Sequence, residues 1–139
     1  MKMFCYSLLF CLLFTSCIHY VQVAKVSVNQ SNLASTFARS PDPEQAHPPT
    51  GEKLYVSWRL PLSIQPEDCH ILLSVIYKDL TEETKTYPLA HRIGAVSFPL
   101  LNEKFKETKG LYAYQAILMD KDDKVIDKWE HQMWVKVIH

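Results

Sequence analysis

From Gly51 onward, apolar and polar residues alternate with a period of two, a pattern that predicts strands rather than helices. Leu54, Val56, Trp58 and Leu60 alternate with Tyr55, Ser57 and Arg59, which predicts a half-buried strand closed by Pro61. Pro66-Glu67-Asp68 reads as a turn. Ile71, Leu73, Val75 and Tyr77 then alternate with Leu72, Ser74 and Ile76. Both faces of that stretch are apolar, which predicts a central strand. Asp79 to Glu83 is a polar turn, and Thr84 to Leu89 is a weaker strand that Pro88 assigns to a sheet edge. Ile93 to Leu100 gives a further strand, and Leu101 to Lys109 is the one stretch with helical character. Gly110 opens a strand from Leu111 to Met119, in which Tyr112, Tyr114, Ala116 and Leu118 share a face. Asp120-Lys121-Asp122-Asp123 makes a hairpin turn, and Lys124 to Ile138 reads as one long final strand or two.

Turns about every 8–12 residues with almost no helix predict an all-β fold, an antiparallel β-sandwich of about seven strands. The segment before it differs. Val21-Gln22-Val23 and Val26-Ser27-Val28 alternate and could pair as a short strand. From Asn29 to Thr50 the chain is polar, carries Pro41, Pro43, Pro48 and Pro49, and has no apolar period. Residues 17–50 therefore read as a tether of about 30 Å, stiffened locally toward polyproline II. Residues 51–139 are expected to hold the sandwich and to fold without it.

The start of the chain reads as an address. Lys2 precedes eleven mostly apolar residues, Phe4 to Phe14, and then the small pair Thr15-Ser16, the layout of a secretory signal peptide over 1–16. Eleven helical residues reach about 16 Å, short of the roughly 30 Å of a bilayer core. Phe14-Thr15-Ser16-Cys17 resembles the lipobox of bacterial lipoproteins, with Phe14 where that family usually has Leu. The resemblance implies cleavage between Ser16 and Cys17, a diacylglycerol on the Cys17 thiol and a fatty acyl chain such as palmitate on the new amine. It also implies a membrane as partner, and the outer membrane over the inner, because Ile18 rather than Asp follows the Cys.

Two further patterns resemble known domains. Leu54-x-Val56-x-Trp58-x-x-Pro61 looks like strand B of fibronectin type III domains, which implies that Trp58 packs at the centre of the core between two sheets. Lys109-Gly110-Leu111-Tyr112-Ala113-Tyr114 is similar to the corner that opens strand F of immunoglobulin-like domains. That resemblance gives the Tyr112 hydroxyl a bond back to upstream backbone and makes Tyr112 a structural core residue. Tyr114 stands where a true immunoglobulin domain has its second Cys, so aromatics are expected to fill the core.

Composition narrows the chemistry. The 139 residues carry 15 Lys plus Arg and 15 Asp plus Glu, so no basic excess draws nucleic acid, and no nucleic-acid partner is expected. With only Gly51, Gly94 and Gly110, a Gly-rich phosphate loop and a nucleotide cofactor are not expected. Once the signal is removed and Cys17 is lipidated, only Cys69 remains, so no internal disulfide can form. Cys69-His70 supplies two ligands where a metal site needs three or four, and Cys69 reads as a packed core thiol. Glu82-Glu83 and Asp120, Asp122 and Asp123 are interleaved with Lys85, Lys121 and Lys124 and read as solvated turns. Ser57, Ser74 and Ser97 sit in no nucleophile elbow. No catalytic, cofactor or metal residue is assigned. Trp129 and Trp134, spaced by five, fall on opposite faces of a regular strand, so either is a candidate interaction surface if exposed. The expected function is a lipid-anchored cell-envelope protein whose sandwich is a non-catalytic protein-interaction or structural module. A surface-displayed or secreted factor that contacts a host cell, and a small hydrolase with an unrecognised site, stay open as alternatives.

Overall fold

The computed structural model describes residues 18–29 and 47–134. The signal segment, Ser16 and Cys17, most of the proline-rich stretch and the last five residues lie outside the described residues. Seven strands are described: β1 (Val21–Val28), β2 (Gly51–Arg59), β3 (Cys69–Tyr77), β4 (Glu82–Pro88), β5 (Ile93–Leu101), β6 (Leu111–Asp120) and β7 (Val125–Glu130). One short helix, α1 (Asn102–Thr108), links β5 to β6. Every ladder is antiparallel, and the strands form two sheets, β1-β2-β5 and β4-β3-β6-β7. The fold is an all-β sandwich.

Alternation decides what each strand buries. In β2, Leu54, Val56 and Trp58 face the core while Tyr55, Ser57 and Arg59 face solvent. β3 lies between β4 and β6, buries one face throughout and half-buries the other, where only Ile76 is fully covered. β4 is an edge strand and ends on Pro88, whose missing N–H suits a rim. The fully buried side chains include Leu54, Val56, Ile71, Leu73, Val75, Leu100 and Leu118, with Val21 beside them. Trp58 is buried at one end of this core rather than at its centre. Its indole N–H donates to the His91 carbonyl at 2.9 Å, and its ring lies over Gly94. A Cβ on Gly94 would sit 2.5 Å from the indole, so this place in β5 needs a glycine.

Three expectations are corrected. The segment read as tether contains β1, which pairs with β2 from Val21↔Trp58 to Val28↔Gly51. Val21 and Val23 are buried in the core, so the sandwich starts before Gly51. Residues 29–50 connect two neighbouring strands instead of spacing the domain from its start. Second, Tyr112 is half-buried and belongs to a β-bulge: Tyr77 pairs with Leu111 and Ile76 with Ala113, which leaves Tyr112 as the extra residue. The bulge resets the alternation, so Leu111 and Tyr114 point inward and no hydrogen bond of the Tyr112 hydroxyl is found among the described residues. Third, β7 ends at Glu130, and the chain is helical over 132–134 instead of continuing as a long strand.

β1 is held at its start by Asp127 of β7. The carboxylate accepts the N–H groups of Tyr20 at 2.6 Å, Val21 at 3.1 Å and Lys128 at 2.8 Å. Burial alone would raise its pKa, but these bonds, with His19 3.4 Å away, hold it below the usual carboxylate range.

Removing residues 1–50 should therefore unfold the domain. Burying Val21 and Val23 contributes roughly 1.5–3 kcal/mol each, against a total of about 5–15 kcal/mol. Urea melts of fragments beginning at Ile18 and at Gly51 should give a cooperative transition only for the longer one. Asp127→Asn should cost about 1–2 kcal/mol at neutral pH. Because the folded pKa is depressed, this contribution is complete above about pH 4 and is lost as the pH falls through the folded value. Mutant and wild-type melts should converge in acid. A constant offset at every pH would show that the charge contributes nothing.

Candidate functional site

A groove opens on the side where β1 and β7, edge strands of the two sheets, approach each other. Tyr114 of β6 faces this opening from the core. Trp129, opposite Ala116 in the β6–β7 ladder, lays its ring on Tyr114 with centroids 5.6 Å apart and planes within 9°. His131 lies beyond the end of β7, yet its backbone N–H still donates to the Tyr114 carbonyl at 3.0 Å. That bond brings its imidazole to 4.6 Å from the Tyr114 ring at 27°. Tyr114 thus stacks with a ring from each of these neighbours.

The trio lines a groove of about 510 Å³ together with Val23, Glu130 and Gln132. The floor is neutral. Burial, and then the positive Lys25, push the His131 imidazole below its ordinary value. Its Nδ1 accepts the Met133 N–H at 3.3 Å. Burial, and then Glu52, push the Tyr114 phenol up. Charge is confined to the rim. Glu130 is held below the usual carboxylate range chiefly by Lys128 at 2.7 Å, and it also accepts from Gln115 Nε2 at 2.8 Å. Lys25 is paired with Glu52 at 3.3 Å. A flat aromatic floor with paired charges at its rim suits an apolar or aromatic side chain of another molecule.

Both tryptophans that are candidates for an interaction surface are partly covered. Trp129 is half-buried and forms the floor rather than an exposed face. Trp134 is also half-buried and sits in the helical residues after β7, where its backbone N–H donates to the His131 carbonyl at 2.9 Å. The two are therefore not on opposite faces of one strand. Trp58 and Tyr112 lie apart from this groove, and Cys17 and Ser16 lie outside the described residues. Tyr114 and His131 carry the groove with Trp129, a role that their local sequence pattern does not announce. The usable signal is the Trp129-x-His131 spacing, which puts two rings on one strand face.

Of the carboxylates read as solvated turns, Glu82 and Glu83 lie in β4 and Asp120 closes β6, and Glu83 and Asp120 have structural partners. Glu83 accepts from the Tyr77 hydroxyl at 2.6 Å and from Lys104, which holds it below the usual carboxylate range. Asp120 Oδ1 caps its hairpin by accepting from the Asp122 and Lys124 N–H groups at 2.9 Å. Cys69 is buried, and that burial pushes its thiol up; the thiol donates to the Gln65 carbonyl at 3.4 Å. Among the described residues, no group of three or more His, Cys, Asp and Glu is placed to hold a metal ion. No protein-family model, curated protein or solved structure matches the chain.

The His131 environment is directly measurable. Its imidazole should titrate below the usual value of about 6.5 in an NMR pH series, and Lys25→Gln should move it part of the way back. The folded value is depressed, so the unfolded chain binds more protons and stability falls as the pH drops through about 6.5. A midpoint at or above the ordinary value would place the ring in solvent and remove it from the floor.

Proposed function

We propose that this chain is a lipid-anchored cell-envelope protein whose sandwich serves as a non-catalytic protein-interaction module. The observation that carries the anchoring half is the run Phe14-Thr15-Ser16-Cys17 at the end of a short apolar segment, with a strand of the folded domain starting four residues later. Cys17 is the lipidated residue and Ser16-Cys17 the cleavage point, and Ile18 favours the outer membrane. The anchor is strong: a chain of some fourteen methylenes contributes on the order of 11 kcal/mol at about 0.8 each, and a second chain makes release negligible.

The groove floored by Tyr114, Trp129 and His131 supports the interaction half. It offers an aromatic surface beside two sheet edges, where a partner segment could add hydrogen bonds to an apolar contact. The order β1-β2-β5 over β4-β3-β6-β7 supports the resemblance of β2 to strand B of fibronectin type III domains. Such sandwiches carry many functions, so it is the groove and not the architecture that points to binding.

Cys17→Ala should abolish acylation and leave an uncleaved precursor, because the signal peptidase of lipoproteins acts on the lipid-modified Cys. Radioactive palmitate labelling and detergent partition of wild type and mutant test this. Label retained by the mutant, or absent from the wild type, would end the lipoprotein reading.

A further inference from the structure

We infer that the end of the sandwich nearest Cys17 is itself a membrane-contact surface, with Leu62, Ile93 and Val125 dipping into the bilayer that holds the anchor. This rests on the lipid anchor just proposed and adds to it which face of the domain meets lipid.

The ladders define that end. Val21 pairs with Trp58, Trp58 with Gly94, Cys69 with Asp120, His70 with Pro88 and Met119 with Val125. The start of β1, the β2–β3 and β4–β5 connections and the β6–β7 hairpin therefore all sit together. Seven large apolar side chains are exposed in the described residues, and four of them cluster here: Ile18 at 71%, Leu62 at 85%, Ile93 at 61% and Val125 at 53%. Of the others, Leu80 lies in a turn at the opposite end, and Val26 and Tyr55 lie on the outer face of β1-β2-β5.

Leu62 is not exposed through looseness of its loop. The Arg92 guanidinium donates to the Pro61 carbonyl and, at 2.8 Å, to that of Ile64, so the backbone is tied on both sides of Leu62. The side chain is held outward.

The length of chain leading to the anchor selects the occupant. Asp127 fixes Tyr20 and Val21 against β7. Cys17 is three residues before Tyr20, a span of at most about 11 Å. A lipid on Cys17 thus brings this end, and no other, against the headgroups. Arg59, Arg92, Lys121 and Lys124 are offset there by Glu67, Asp68, Asp120, Asp122 and Asp123. With the charges nearly balanced, contact depends on apolar insertion rather than on attraction to anionic lipid.

The test uses the full chain purified from membranes, with the N-terminal peptide first weighed to locate lipid on Cys17. Leu62→Cys and, separately, Leu80→Cys proteins are labelled with an environment-sensitive fluorophore. They are reconstituted into vesicles of phosphatidylethanolamine and phosphatidylglycerol that contain a lipid with a nitroxide near the top of its acyl chain. A chain without the added Cys gives the background from buried Cys69. The probe at 62 should lose about half its emission to the nitroxide while the probe at 80 loses under about a tenth, a contrast set by the shallow reach of interfacial insertion. With the probe moved to 93, the pair Leu62→Ser and Val125→Ser should reduce quenching at least about twofold. Because all three residues are exposed, these changes leave the core intact.

Equal quenching at 62 and 80, or none at 62, overturns the docking surface while the lipid on Cys17 still stands. Cross-linking between copies through position 62 without lipid quenching assigns the patch to self-association and also overturns it. An N-terminal peptide without lipid instead overturns the anchor reading, on which this one depends.

Discussion

The Asp127 carboxylate gathers the N–H groups of Tyr20 and Val21 at the point where the chain enters the sandwich. A strand is a poor place for Asp, because the isolated charge gains nothing from a pleated, half-buried surface. Here two backbone donors at the entry to β1, Tyr20 and Val21, with a third from its own neighbour Lys128, offset the cost of burying it. That junction sets where β1 begins, and so which valines reach the core and how the open side of the sandwich is walled by Val23. It also fixes Ile18 at one particular end of the domain.

A second carboxylate acts near the opposite end. Glu52 of β2 pairs with Lys25 of β1 and accepts the Leu111 N–H at 2.8 Å, so one side chain touches both sheets. The donor it takes belongs to the bulged start of β6, where the ladder is irregular and a side chain can replace a strand partner. Between Asp127 and Glu52 the first strand is fastened near each end by a charge. The apolar contacts between the two fastenings then need only fill space.

The legible parts of the fold are those whose local pattern already matches their surroundings. β2 alternates cleanly because one face is core and the other solvent, and β3 reads as central because both of its faces carry apolar residues, one buried and one half-buried. β1 is harder to read, since only Val21 and Val23 are buried while Lys25 and Ser27 take inward places near the rim. Its partner is also far away in sequence, and nothing between Asn29 and Thr50 signals the return. The place of Tyr112 escapes the pattern for a different reason: a bulge is decided by the neighbouring strand and leaves no trace in a period of two. The groove is half visible. Trp129 and His131 share a spacing, but Tyr114 joins them only across the β6–β7 ladder, which no local pattern encodes.

The connection between β1 and β2 has a kinetic consequence. Those paired strands are separated by 22 residues, whereas β3–β4 and β6–β7 are joined by turns of 4 residues each. By loop-closure entropy alone, bringing β1 onto β2 costs about 1.5 kcal/mol more than closing either short turn. The two tight hairpins both belong to the four-stranded sheet and can close cheaply, whereas the β3–β6 ladder that joins them and the β2–β5 ladder each span 33 residues. Until β1 closes, one edge of β2 and the side of Tyr114 stay uncovered. The surfaces sealed first by local closure thus lie late in the chain, and the first strand waits for a longer one.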